Sequence, residues 1–258
     1  MTKINQKLKK AFIPFLTAGD PCMEITEELI VEMAAAGAAM IEIGVPFSDP
    51  VAEGETIAHA DKRALLAGTT ADSIFEMVSR VRAKTDVPLA LLSYANSIFT
   101  YGSDRFVRKC AELGISALIV QDLPFEEKDE LQPFCTKHGV NLVSLIAPTA
   151  KERVQKIARG AEGFLYCVPP IGAEGAHTEI AADMKKMIAE IREQSDIACV
   201  VGLAYRTPEQ AAEAVREADG VIADVAVMEI VAEHGRGCVP YVMKYVQEMI
   251  EMIREIKN

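Results

Sequence analysis

Glu42 lies in the middle of a short apolar run, residues 39–45, and Glu53 follows on a glycine-containing loop. Between them, Val-Pro-Phe-Ser-Asp-Pro turns the chain sharply. A carboxylate inside a strand costs on the order of several kcal/mol unless it is paired or used. One carboxylate on a strand and a second on the loop after it suits general acid–base work, in which one group moves a proton while the other stays ionised. The same residues also fit a hydrogen-bonded buried acid next to a solvated acidic loop, and the acids alone leave both readings open.

Such a pair needs a scaffold, and the rest of the chain supplies its outline. Apolar or β-branched runs recur at 11–17, 39–45, 88–94, 117–122, 141–146, 163–168, 197–203 and 220–225. The stretches between them are amphipathic. Over 23–36, Ile25, Leu29, Ile30, Met33 and Ala34 recur at helical spacing. Thr207-Pro208-Glu209 reads as an N-cap, a first-turn proline and an early acid, opening a helix over 211–217. Residues 239–257 read as one long amphipathic helix on the outside.

Eight continuous apolar strands alternating with helices predict a parallel sheet covered on both faces. At 258 residues the economical closure is a (β/α)₈ barrel, a single domain over 1–258. An open doubly wound sheet is the alternative, though GxGxxG is absent after the first strand. In a barrel, chemistry sits where strands end and loops begin. That rule draws in Tyr94, Asp122 and Tyr166, at the ends of the third, fourth and sixth runs. The loop after the sixth run, PPIGAEG at 169–175, mixes stiff and mobile residues and reads either as a lid or as an ordinary connection.

Bulk composition narrows the function. Half the residues are hydrophobic, so a sizeable core can form, and the net charge of −11 argues against nucleic acid or a basic membrane-binding face. The six cysteines form no CxxC pair and no zinc-like spacing, and several lie in apolar runs, a usage that suits a reducing cytoplasm. The basic-then-apolar start is broken by Pro14 and ends at Gly19 and Asp20, too short and wrongly flanked for a signal peptide. No stretch approaches a membrane span. His59 and His177 flank the site loops and read as surface or structural residues, and Cys167 beside Tyr166 reads as a packed core thiol.

FIPFLTAGDP (12–21), IEIGVPFSDPVAEG (41–54), LLSYANSIFTYG (91–102), VQDLPFEE (120–127) and the TPEQ helix start occur in an order and spacing that resemble the tryptophan synthase α-subunit family over essentially the whole chain. The resemblance implies a TIM barrel that cleaves indole-3-glycerol phosphate to indole and glyceraldehyde 3-phosphate, needs no cofactor or metal of its own, and passes indole to a pyridoxal-phosphate β subunit. It implies that Glu42 is the general acid–base, that Glu53 (one methylene longer than the usual aspartate) supports the indole nitrogen, and that Tyr166 completes the catalytic set. It implies substrate contacts for Phe15, Tyr94, Asp122, Gly175, Gly202, Ala204, Arg206, Asp224 and Val225, a lid at Gly172 and Glu174, and a β-docking surface around the PFSDP loop, 46–50.

The chain departs from the family where the phosphate is held. Backbone N–H groups of glycine-rich turns usually do this work. Here the second glycine after the seventh strand is Ala204, and the eighth turn, usually SGS, reads Ala223-Asp224-Val225. Glu55 and Ala58 replace a proline and a glutamine, and Glu174 replaces a lid threonine, so the expected rim gains Glu55, Glu174 and Asp224. Arg206 is the expected compensating charge. Three readings follow: the family reaction with a rewired phosphate site; the same carboxylate chemistry on an unphosphorylated or cationic substrate, the added acids binding an amine or a divalent metal; or a non-catalytic partner of a β-type subunit.

Overall fold

A computed structural model describes residues 8–169, 177–202 and 205–256. Eight parallel strands close into a barrel in sequence order: β1 (Ala11–Thr17), β2 (Ile41–Gly44), β3 (Leu89–Ser93), β4 (Ile115–Val120), β5 (Asn141–Ile146), β6 (Phe164–Cys167), β7 (Ala198–Gly202) and β8 (Gly220–Ala223). The ring closes because β8 pairs with β1, Gly220 opposite Ala11 and Ala223 opposite Pro14. The open-sheet alternative is therefore excluded. The strands are buried almost throughout, as a parallel sheet covered by helices requires.

The helices are α1 (Met23–Ala36), α2 (Glu55–Leu66), α3 (Ala71–Arg82), α4 (Ala95–Tyr101), α5 (Ser103–Glu112), α6 (Gln132–His138), α7 (Lys151–Gly160), α8 (His177–Arg192), α9 (Pro208–Ala214), α10 (Val225–His234) and α11 (Val239–Glu255). Two 3₁₀ turns, Phe125–Glu130 and Gly235–Gly237, interrupt the alternation. α1 starts and stops where its periodicity predicts, and Gly37 ends it in the left-handed conformation. α9 begins on the expected signal: the Thr207 side chain accepts from the Gln210 N–H, and the Gln210 side chain returns the bond to Thr207.

Strand ends needed correction. β4 lies two residues earlier than its apolar run, because Asp122 belongs to the turn that follows. Tyr94 is the N-cap of α4 rather than the last residue of β3. Tyr166 lies inside β6, and Val225 is the first residue of α10 rather than part of β8. Hydrophobicity does not stop where pairing stops, so apolar runs overshoot strand ends. Glu55 also moves: it opens α2, where an acid is favoured by the helix dipole, and its side chain is exposed rather than on the pocket rim.

All six cysteines are free and buried, Cys167 among them. Among the described residues no helix is long and apolar enough to cross a membrane. His59 is exposed, His138 bonds Asp104 at 2.9 Å, and His234 stacks on Tyr241.

Candidate active site

Strand register decides which side chains meet inside the barrel. Phe15 of β1 lies opposite Glu42 of β2, which lies opposite Ala90 of β3. Alternation puts Gly44 on the same face as Glu42. A Cβ on Gly44 would lie 2.6 Å from Cζ of Phe15, so the ring occupies the space that the glycine leaves. The far wall repeats the device. Tyr166 of β6 lies opposite Val200 of β7, and a Cβ on Gly202 would lie 2.3 Å from its Cε2 and 2.7 Å from its hydroxyl. Gly202 thus acts through the ring it admits. Gly202→Ala is expected to lower kcat/KM and to cost about 1–3 kcal/mol in stability, the usual toll of overpacking. Unchanged kinetics and an unchanged thermal melt would show that the ring has room to move.

Glu42 is 1% exposed, and neither carboxylate oxygen has a hydrogen-bond partner. Burial drives its carboxyl well above the usual carboxylate range, and the charges of Asp224 and Glu53 push it further. This environment disfavours the ionised form of Glu42.

Glu53 sits on the loop between β2 and α2, where its N–H donates to the Pro50 carbonyl at 3.1 Å. The Gln121 side chain donates to Glu53 Oε1 at 2.6 Å. Glu53 keeps some exposed surface, yet the protein around it and the charges of Asp224 and Asp61 raise its carboxyl to about 8, against the pull of the Gln121 bond. Gln121 thus favours the ionised form and fixes the longer arm of this glutamate. Tyr94, 3% exposed, anchors the same loop: its hydroxyl accepts from the Ala52 N–H at 3.1 Å, and its ring stacks on Phe47 with centroids 4.8 Å apart.

Tyr166 joins the cluster from the opposite wall. Burial raises its hydroxyl well above the ordinary range, followed by the charges of Glu42, Asp224 and Glu53. It stays a neutral donor at any working pH. Asp224 caps α10, its Oδ1 accepting from the Val225 N–H at 2.6 Å. Its carboxyl is raised by burial, against the Val225 bond and the charge of Arg206.

The fold thus brings together Glu42, Glu53, Tyr166 and Asp224, with Phe15 and Gly202 shaping the walls. Other expected residues are engaged elsewhere. Asp122 is exposed and accepts from the Ala95 N–H at 2.8 Å, tying the turn after β4 to the start of α4. Arg206, the expected compensating cation, donates to Glu229 on α10, so its charge is already matched. Val225 offers its N–H to Asp224. Gly172, Glu174, Gly175 and Ala204 lie outside the described residues. Among the described residues no group of three or more His, Cys, Asp or Glu side chains could hold a metal.

Two residues escaped sequence reasoning. Gln121 gave no signal beyond its position beside Asp122. Asp61 did give one: it is a charged residue among Ile57, Ala60 and Ala64 on the buried face of α2. It is 4% exposed, accepts from the Phe47 N–H at 3.2 Å, and burial lifts its carboxyl to about 7.

Comparison with known proteins bears on this arrangement. The family described as "Tryptophan synthase alpha chain" matches residues 1–257. The tryptophan synthase alpha chain of Lacticaseibacillus casei is 38% identical over 251 residues, 96% of this chain and 94% of that one. That of Citrifermentans bemidjiense is 44% identical over 227 residues, 88% of this chain and 85% of that one. A crystal structure of the tryptophan synthase alpha chain from Legionella pneumophila superposes with a TM-score of 0.89 at 31% identity, covering 100% of this chain and 99% of that one.

Proposed function

Since this chain belongs to the tryptophan synthase alpha chain family, and is a carbon–carbon lyase of that type, we propose that Glu42, Glu53 and Tyr166 carry the chemistry that cleaves indole-3-glycerol phosphate to indole and glyceraldehyde 3-phosphate. The observation that carries the assignment is the Glu42 carboxyl, buried, with neither oxygen hydrogen-bonded and its ionised form disfavoured by burial and neighbouring acids.

The steps balance on these groups. Protonated Glu42 delivers its proton to the ring carbon that bears the glycerol chain, and the positive charge falls on the ring nitrogen. Glu53, held by Gln121, meets that charge as a carboxylate. Glu53 keeps some exposed surface, so its own proton leaves to water, and the developing cation then favours its charged form amid the other acids. Glu42, now a carboxylate, takes the proton from the hydroxyl next to the ring. The carbon–carbon bond breaks, its electrons neutralise the ring nitrogen, and the aldehyde and indole separate. Tyr166 supplies a neutral hydroxyl to the substrate oxygens. No external oxidant or reductant enters.

Association with a β-type subunit belongs to the same proposal. The PFSDP loop is intact in sequence, with Ser48 and Asp49 exposed and Val51 83% exposed. A cytoplasmic setting agrees with the free cysteines. The deciding assay is indole release from indole-3-glycerol phosphate by the full-length protein, alone and with a tryptophan synthase β subunit. Turnover stimulated by β is the expected result. A folded protein that releases no indole under either condition would remove this reading.

A further inference from the structure

Asp61 is a charged residue on the buried face of α2, and the lyase chemistry above gives it no part. Arg63, two residues on, is engaged by Asp20, to which it donates at 2.8 and 2.7 Å. A buried acid costs stability, so its presence close to a reacting group points to a task.

Asp61 reaches from α2 back to the loop that precedes this helix. Its Oδ2 accepts the Phe47 N–H at 3.2 Å. The Phe47 ring stacks on Tyr94, and the Tyr94 hydroxyl accepts the Ala52 N–H at 3.1 Å. The loop is thus gripped at Phe47 and again at Ala52, while Ser48, Asp49 and Val51 between them are exposed. Glu53 follows directly after the second grip, and its N–H closes a turn onto the Pro50 carbonyl. Glu53 and Asp61 also line one small cavity, together with Phe15, Gly44 and Tyr94.

We propose that Asp61 is the positioning residue of the Glu53 loop. Its bond to the Phe47 N–H fixes the start of the loop, and the Phe47–Tyr94 stack passes that constraint to Ala52 and so to the Glu53 carboxyl. A loop ordered before the substrate arrives spares the reaction the entropy of ordering it. The charge of Asp61 acts on Glu53 as well and disfavours its ionisation. Asp61 itself faces Asp20 from the turn after β1 and the Thr17 hydroxyl, which favours its charged form. Glu53 faces Asp224 at the start of α10 and Glu42 on β2, and Tyr94 feels Glu53, Asp61 and Asp122. The role given to Asp61 rests on the lyase reading, which makes Glu53 a reacting group.

The test measures indole release from indole-3-glycerol phosphate across pH in the full-length protein, in Asp61→Ala and in Asp61→Asn, with amide exchange followed at Ala52 and Glu53. Asp61→Ala removes the anchor and the charge at a helical position that suits alanine. It should lower kcat by about tenfold to a hundredfold. KM should stay nearly unchanged, because Glu53 meets a charge that develops only on the way to the transition state. The Ala52 and Glu53 amides should exchange faster. Asp61→Asn keeps an acceptor for Phe47 and should keep kcat close to that of the unaltered protein. It should also move the acidic limb of the pH profile to lower pH, since Glu53 then ionises beside one charge fewer. A purely structural Asp61 would cost melting temperature in Asp61→Ala while leaving kcat of the folded protein and the limb in Asp61→Asn unmoved, and either unmoved value overturns the proposal. If Asp61→Ala does not fold, the limb in Asp61→Asn decides. If the unaltered protein releases no indole, the lyase reading has failed, and amide exchange judges the loop alone: equal protection of Ala52 in the unaltered protein and in Asp61→Ala overturns the positioning role.

Discussion

Glu42→Gln is expected to abolish indole release, with kcat lower by at least about a thousandfold, while the barrel folds as before. A positioned acid–base group contributes about 10²–10⁴ in rate, and in the proposed mechanism a single carboxyl serves both proton transfers. The substitution should also raise thermal stability at neutral pH. In the unfolded chain Glu42 ionises freely, whereas in the barrel burial and neighbouring acids disfavour its ionised form, so its ionisation favours unfolding. Glutamine keeps the shape and removes that drive. The checks are single-turnover indole release and a thermal melt at pH 7.5. Residual turnover within tenfold of the unaltered enzyme would transfer the acid–base role elsewhere.

The second large effect is the dependence of stability on pH. Asp61 and Glu53 have folded-state values raised to about 7 and about 8, from ordinary values of 3.8 and 4.5. A group raised on folding binds more proton in the native state than in the unfolded one. Its contribution is therefore complete below the unfolded value and is lost as pH rises through the folded value. The window runs from about pH 4 to about pH 8, and the protein should melt at a lower temperature at pH 8 than at pH 5. Each unit is worth about 1.4 kcal/mol, so Asp61 alone gives up on the order of 4 kcal/mol across the window. Asp61→Asn retains an oxygen for the Phe47 N–H and should recover roughly 10 °C of melting temperature at pH 8, about a third of that at pH 5, and little at or below about pH 4. Equal melting curves for the two proteins at pH 8 would mean that Asp61 ionises in the fold without strain.

Much of the architecture was legible because it depends on local signals. The apolar runs gave all eight strands in order, and the Thr207–Gln210 box gave the start of α9. Closure of the barrel followed from counting parallel strands against chain length. The boundaries were less legible. Asp122 and Val225 were assigned to strands because hydrophobicity continues past the last ladder bond.

The site divides in the same way. Glu42, Glu53 and Tyr166 could be proposed from motifs, because the proposed chemistry calls for these residue types and the fold places Glu42 and Tyr166 on strands and Glu53 on the loop after β2. Asp224 could be named as a misplaced charge. Their electrostatic state could not be read, because desolvation belongs to the assembled barrel. Only packing leaves Glu42 without a partner, and only packing brings Gln121 to Glu53 across 68 residues. Arg206 shows the limit most clearly. Its position after β7 suggested a cation for the substrate, but Glu229, 23 residues further on, reaches it across the turn of a helix layer that no local pattern encodes. The sequence by itself determined the barrel, the family and the candidate carboxyls, since these depend on periodicity and residue type. The tertiary structure decided which carboxyls are shut away from water and which cation is already paired, since these depend on distances between residues far apart in the chain.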